Sequence, residues 1–198
     1  MPNGQLFTTL LVAVTLVAQA SQQPPERTPQ DVAVFTALVK HPIITSAPGK
    51  DGIVLVTETA PSESELRFFE PAGKEYLRRS LRTPAPQTID EFLKVVRQDG
   101  ELPAALGEVP GVILVRRADL ASLLEAPGRD YWETFVRRYP DACGILSFSR
   151  IAYGASGDEV LAYSSFSCGN VCGHGVAVVL QQRDGHWVVV EHLYLWES

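Results

Sequence analysis

Cysteine is scarce in this chain: Cys143, Cys168 and Cys172 are the three in 198 residues. That excludes the disulfide-dense frameworks of small secreted domains, and a chain of this length can bury roughly 70% of its unfolded surface without them. Basic charge is also short. Lys and Arg number 17 against 23 Asp and Glu, a formal net charge of −6. The basic pairs Arg78-Arg79, Arg116-Arg117 and Arg137-Arg138 are scattered rather than clustered. Phosphate backbones are bound by clustered Lys and Arg, so no nucleic acid is expected as a partner. No apolar run reaches the roughly 20 residues that a membrane-spanning helix needs. Internal repeats are absent, and so is any recognised nucleophile signature.

What is present begins with a candidate export signal. A short polar start, Met1 to Gln5, precedes an apolar run from Leu6 to Val17 and then Ala18-Gln19-Ala20, the small-x-small pattern that signal peptidase reads. The start carries no Lys or Arg, which departs from the usual pattern and leaves an uncleaved anchor as the alternative. The protein is expected to be periplasmic or secreted, cleaved after Ala20, with no membrane span in the mature chain. Residues 21–30 are polar and proline-rich and read as a linker, and 31–198 fit one domain.

Helical and extended signals then alternate. Thr28-Pro29-Gln30-Asp31 places a hydroxyl cap and an N1 proline ahead of Val32, Phe35, Leu38 and Val39, which predicts a three-turn helix. Gly52 to Thr59 reads as a buried strand, and Gly111 to Val115 as another. Pro61 to Pro86 gives a mixed signal. Thr88-Ile89-Asp90-Glu91 has the form of a capping box opening a helix that ends by Gly100. A brief helix is predicted from Ala118 to Glu125, and Asp130 caps another through Trp132, Phe135, Val136 and Tyr139.

Four successive strands come next: Gly144 to Ala152, Glu159 to Ser167, Gly175 to Gln182 and His186 to Trp196. Asp184-Gly185 is a strong hairpin signal. In the last strand, strict alternation puts Trp187, Val189, Glu191, Leu193 and Leu195 on one face, and Val188, Val190, His192, Tyr194 and Trp196 on the other. The expected fold is α+β: a C-terminal antiparallel four-strand meander with helices packed on one face, plus N-terminal helices and two further strands.

The chemistry-bearing stretch is Ser167-Cys168-Gly169-Asn170-Val171-Cys172-Gly173-His174-Gly175. Three readings stand open. In an oxidising compartment Cys168 and Cys172 face each other across a tight turn and form a disulfide. Alternatively Cys143, Cys168, Cys172 and His174 make a Cys₃His zinc site, although the spacing is not that of a zinc knuckle. Or Cys172 is a thiolate nucleophile with His174, His186 or His192 as its base, His174 lying two residues away. The disulfide leads, with no metal and no cofactor expected, and Cys143 is left as a small apolar residue or a pairing partner. Gly173 and Gly175 make no phosphate loop, because no helix comes after them. Ser147, Ser149 and Arg150, with the run Ser164 to Ser167, give a hydroxyl-rich patch that is a candidate site for a small polar ligand, with His174 nearby in sequence. Glu58 and Glu191 are candidate paired carboxylates, though nothing in the sequence fixes their separation.

From Tyr131 the pattern Tyr-Trp-x-x-Phe-x-x-x-Tyr-Pro, then Gly144 to Ser149, Ala162-Tyr163, Cys168-Gly169-x-x-Cys172-Gly173-x-Gly175, Asp184-Gly185-x-Trp187 and Leu195-Trp196-x-Ser198, resembles a group of uncharacterised bacterial exported proteins. The resemblance covers about the last third of the chain and implies a bacterial, extracytoplasmic protein with no established activity. The function expected from all of this is a non-enzymatic domain that binds an unknown small ligand or protein. The alternative is an extracytoplasmic hydrolase or thiol enzyme built on Cys172 and a histidine.

Overall fold

The computed structural model describes residues 28–45, 50–125 and 130–198. The expected signal, and residues 21–27 of the expected linker, lie outside them. Helix α1 spans Thr28–Val39, so the last three residues assigned to the linker are helical. Strand β1 (Gly52–Val56) leads into α2 (Glu63–Leu66), α3 (Pro71–Ser80) and α4 (Pro86–Val95), then β2 (Val112–Val115), α5 (Arg117–Ala121) and α6 (Tyr131–Arg138). The chain closes with β3 (Ala142–Phe148), β4 (Ala152–Tyr153), β5 (Glu159–Gly169), β6 (Cys172–Arg183) and β7 (His186–Glu197). Among the described residues no helix is long and apolar enough to cross a membrane.

The seven strands make one mixed sheet in the order β2-β1-β3-β5-β6-β7, with β4 paired to β5 beside that path. β3, β5, β6 and β7 form the expected antiparallel meander. The run Gly144 to Ala152 is not one strand, however, but β3 and β4 with a break between them. The hydroxyl of Ser149 donates to the Arg150 carbonyl (2.9 Å) and accepts the Tyr163 N–H (2.9 Å), replacing a ladder bond where the chain bends. β1 lies parallel to both β2 and β3. Its five residues are all buried, which is the pattern of a parallel strand covered on both faces.

Helices flank both faces of this sheet, a correction to the expectation of one. Alternate residues of a strand point to opposite faces, and they join different cores. Val160, Ala162 and Phe166 of β5 pack with Val34, Phe35 and Leu38 of α1. Leu161 and Tyr163 pack instead with Phe69 and with Leu77 and Phe92 of α3 and α4. Val54 and Val56 of β1 pack with Leu120 of α5 and Phe135 of α6, whereas Ile53 and Leu55 face α1. So α1 serves one face, and two separate helical groups, α3–α4 and α5–α6, share the other.

Strict alternation fails in β7, because its register against β6 shifts between Val179 and Leu180 and again between Gly175 and Val176. Each bulge inserts a residue, Val190 and Leu195, and reverses the facing of the residues beyond it. Trp187 and Val189 therefore join the α1 core, while Val190 and Leu193 pack in the α3–α4 core. The hairpin turn behaves as its sequence predicts. Asp184 (φ 50°) and Gly185 (φ 79°) both take the positive φ of a type I′ turn.

Helix caps divide between local and long-range donors. Asp130 Oδ1 accepts the N–H of Trp132 (2.9 Å) and of Glu133 (3.2 Å), as expected for α6. α4 does not begin at Thr88. Pro86 takes its first turn, and the carboxylate of Glu159, on β5, accepts the Ala85 N–H (3.0 Å) and the Thr88 hydroxyl (2.8 Å). Glu191 does the same for the turn after α3, accepting the N–H of Arg82 (3.0 Å) and of Thr83 (2.7 Å). Burial works to raise the Glu191 pKa, but the bonds from Thr83 and Arg82 outweigh it and hold the carboxyl below the usual range. A carboxylate with a lowered folded pKa contributes stability above its unfolded pKa, about 4.3, which is lost as pH falls through the folded value. Glu191→Gln is therefore expected to lower the Tm at pH 7, with the gap to the native protein closing in melts taken below pH 4.

Candidate functional site

Because the two helical groups on the shared face do not meet, a strip of sheet between them is left uncovered. Ser147 on β3 pairs with Ser165 on β5, and Ile145 with Ser167. The Ser164 to Ser167 run is split by the pleat: Ser165 and Ser167 face this strip, whereas Phe166 and Ser164 turn to the α1 side. The result is a cleft of about 460 Å³ floored by Val56, Ile145, Ser147, Ser165 and Ser167. Its α5–α6 wall carries Arg117, Leu120, Tyr131 and Trp132, and the opposite wall carries Ser62, Ser64, Glu65 and Trp196.

The wall at Glu65 is a buried hydrogen-bond chain. The Trp196 indole N–H donates to the Tyr163 hydroxyl (2.8 Å), and that hydroxyl donates to Glu65 Oε1 (2.7 Å). Glu65 Oε2 accepts both the backbone N–H (2.7 Å) and the hydroxyl (2.5 Å) of Ser62. Tyr163 is 1% exposed and Glu65 9%. Burial, and then the neighbouring Glu65 charge, push the Tyr163 phenol well above the usual tyrosine range, so it stands as a neutral donor. Neither residue was singled out from sequence. The signal was there in Ser62-x-x-Glu65, a capping-box spacing.

Arg117 is half-buried at the other wall. Its Nη2 donates to the Ala60 carbonyl (2.6 Å), and its backbone N–H donates to Glu58 Oε2 (2.8 Å). Burial tends to raise the Glu58 pKa, but the bonds from Arg117, from its own backbone and from Thr57, together with the Arg117 charge, leave it lowered. Glu58 and Glu191 are thus each engaged at separate loops, and the structure does not pair them.

Of the binding candidates read from sequence, the cleft contains Ser147 with Ser165 and Ser167 of the serine run, but not Ser149, Arg150 or His174. Ser149 is fully buried at the β3 bend, and Arg150 donates to Gln98 Oε1 (3.1 Å) away from the cleft. His174 pairs with Phe166 and so lies on the α1 face, its ring 5.6 Å from that of Phe166 and 5.7 Å from that of Tyr194. Its Nε2 is buried without a partner, and burial lowers its pKa.

Cys168 and Cys172 form a disulfide at the β5–β6 tip, with Cα atoms 5.1 Å apart. In this oxidised form Cys172 has no thiolate to offer a base, and a Cys₃His set with Cys143 and His174 has lost two of its sulfurs. Among the described residues no group of three or more His, Cys, Asp or Glu side chains is placed to hold a metal ion. Cys143 is a free, half-buried thiol whose pKa is raised by burial. Iodoacetamide is accordingly expected to label Cys143 slowly in the native protein and to leave Cys168 and Cys172 unmodified until reductant is added. Rapid labelling of Cys172 at neutral pH, read by peptide mass, would contradict this.

The disulfide-closed tip also reaches the cleft wall. Asn170 Nδ2, inside the turn, donates to Asp130 Oδ2 (3.1 Å), the cap of the helix that carries Tyr131 and Trp132. Comparison with models of protein families, with curated proteins and with solved structures finds no match to this chain.

Proposed function

We propose that this protein is an exported, non-enzymatic binding domain, periplasmic or secreted after cleavage behind Ala20, that takes a small ligand in the cleft between its two helical groups. The observation that carries the reading is the uncovered strip Ser147, Ser165 and Ser167. A central sheet face is ordinarily filled with apolar side chains under a helix, whereas here hydroxyls meet a concave space walled by aromatic rings. A volume of about 460 Å³ lies within the roughly 300–1,000 Å³ usual for small-molecule sites. The disulfide is consistent with an oxidising compartment, as is the small-x-small motif at Ala18 to Ala20. The resemblance to bacterial exported proteins points the same way.

Thermal melts of the purified mature chain against a panel of sugars, amino acids and aromatic acids test this, because a ligand that binds only the folded state raises the Tm with concentration. At least one class is expected to do so in the native protein and not in Ser165→Phe, which fills the floor. A panel that leaves the native Tm unmoved, or shifts both proteins equally, would overturn the cleft as a ligand site. The mass of the protein exported from a bacterial host tests the address: a chain beginning at Ser21 is expected, and one beginning at Met1 would refute cleavage.

A further inference from the structure

We infer, resting on the cleft reading above, that the ligand is an amphipathic anion: a flat apolar body lying against Trp132 over the serine floor, with a carboxylate- or sulfonate-type head held by Arg117. The argument is one of charge supply. The cleft lining holds two formally charged side chains, Glu65 and Arg117. Glu65 is satisfied from within the protein, since its two oxygens already take three donors, from Tyr163 and from the hydroxyl and N–H of Ser62. A cationic ligand would have to compete with those bonds.

Arg117 is in the opposite condition. A guanidinium carries five N–H donors in a fork suited to carboxylates and related oxyanions. Among the described residues this one gives a single hydrogen bond, to the Ala60 carbonyl, and no carboxylate oxygen lies within ion-pair distance of it. Glu58, whose carboxylate feels the Arg117 charge, makes no ion pair with the guanidinium, and its Oε2 takes the Arg117 backbone N–H and the Thr57 hydroxyl. The two anchors at Ala60 and Glu58 fix the residue at both ends, so little ordering is needed when an anion arrives. The rest of the lining is predominantly apolar and aromatic, which suits a flat hydrophobic body. The serine hydroxyls supply neutral donors and acceptors beneath it.

A matched probe pair separates the head from the body: 8-anilinonaphthalene-1-sulfonate, and N-phenyl-1-naphthylamine, which keeps the ring system and lacks the sulfonate. Both brighten on entering an apolar site. With the oxidised mature chain, the sulfonate probe is expected to bind at least tenfold more tightly than the neutral one and to weaken as salt is raised. Arg117→Gln is expected to abolish that preference while leaving the neutral probe unchanged, and Arg117→Lys to restore part of it. Trp132→Leu and Ser165→Phe are expected to weaken both probes, with near-UV circular dichroism confirming that each variant is folded. Equal binding of the two probes, untouched by Arg117→Gln but lost in Ser165→Phe, would overturn the anionic head and leave the cleft standing. No binding of either probe to the native chain, or binding indifferent to both Trp132→Leu and Ser165→Phe, would overturn the cleft itself.

Discussion

Gly175→Ala is expected to be among the most damaging single-methyl additions this protein can receive, lowering its stability by about 3 kcal/mol. A β-carbon built on Gly175 stands 2.0 Å from the Trp196 indole nitrogen and 2.4 Å from the Tyr163 hydroxyl. Gly175 pairs with Trp196 across β6 and β7, and it is the missing side chain that lets the indole lie over the strand and reach the tyrosine. Of these two neighbours the tyrosine is not free to yield. Tyr163 is fixed between Phe69, whose ring is 5.3 Å away edge to face, and Glu65. The indole must therefore move, and the Trp196 bond to Tyr163 goes with it. For a chain of this size about 3 kcal/mol corresponds to a Tm fall of roughly 6–12 °C. The mechanism is checked by a double-mutant cycle with Trp196→Leu: if the clash is the cause, the two changes together cost much less than their sum. Additive losses would place the damage in the backbone instead.

The same pair of residues shows how far the sequence could be read. Features decided within a few residues were legible: the Asp130 cap, the Asp184-Gly185 turn, the Cys168–Cys172 bond and the four strands of the meander all rest on local spacing or local φ preference. The cleft floor was half legible. The serines between Ser147 and Ser167 stood out by composition, but only the pleat shows that Ser165 and Ser167 face one way and Ser164 the other. Ser149 and Arg150, adjacent in sequence to the floor, were drawn off by the bend before β4. Whatever depended on partners far along the chain stayed hidden. Thr88 looked like a cap because its neighbours fit the pattern, yet the cap is Glu159, which lies 71 residues away. The bulges in β7 leave no mark in its alternation: the first turns Glu191 and Leu193 away from the face of Trp187 and Val189, and the second keeps Trp196 opposite Trp187 while parting it from His192 and Tyr194, with which strict alternation had grouped it. His174 sat beside the cysteines in sequence, and the β-pleat turned it to the α1 side.

Tyr163→Phe tests the buried chain from its centre, and its expected cost is about 3 kcal/mol, from removing one oxygen. The phenol is both acceptor for the Trp196 N–H and donor to Glu65 Oε1, so its loss takes the partner from two groups around a side chain that is itself buried. Leaving a buried donor unmade costs about 1–3 kcal/mol, and a bond to a charged acceptor is worth about 1.5–3. Coupling to Glu65→Gln is expected in a double-mutant cycle, because both changes cut the same bond; independence would mean that the tyrosine acts only by packing. The pH response separates these alternatives further. Burial and the adjacent carboxylate raise the phenol pKa above that of the unfolded chain. The stability it confers is fully present below the unfolded value, about 10, and is lost as pH rises beyond it, since only the unfolded chain then ionises readily. Melts of the native protein should therefore fall off more steeply between pH 9 and 11 than those of Tyr163→Phe. A parallel decline in the two would show that the ring, rather than its hydroxyl, holds the Glu65 wall of the cleft in place.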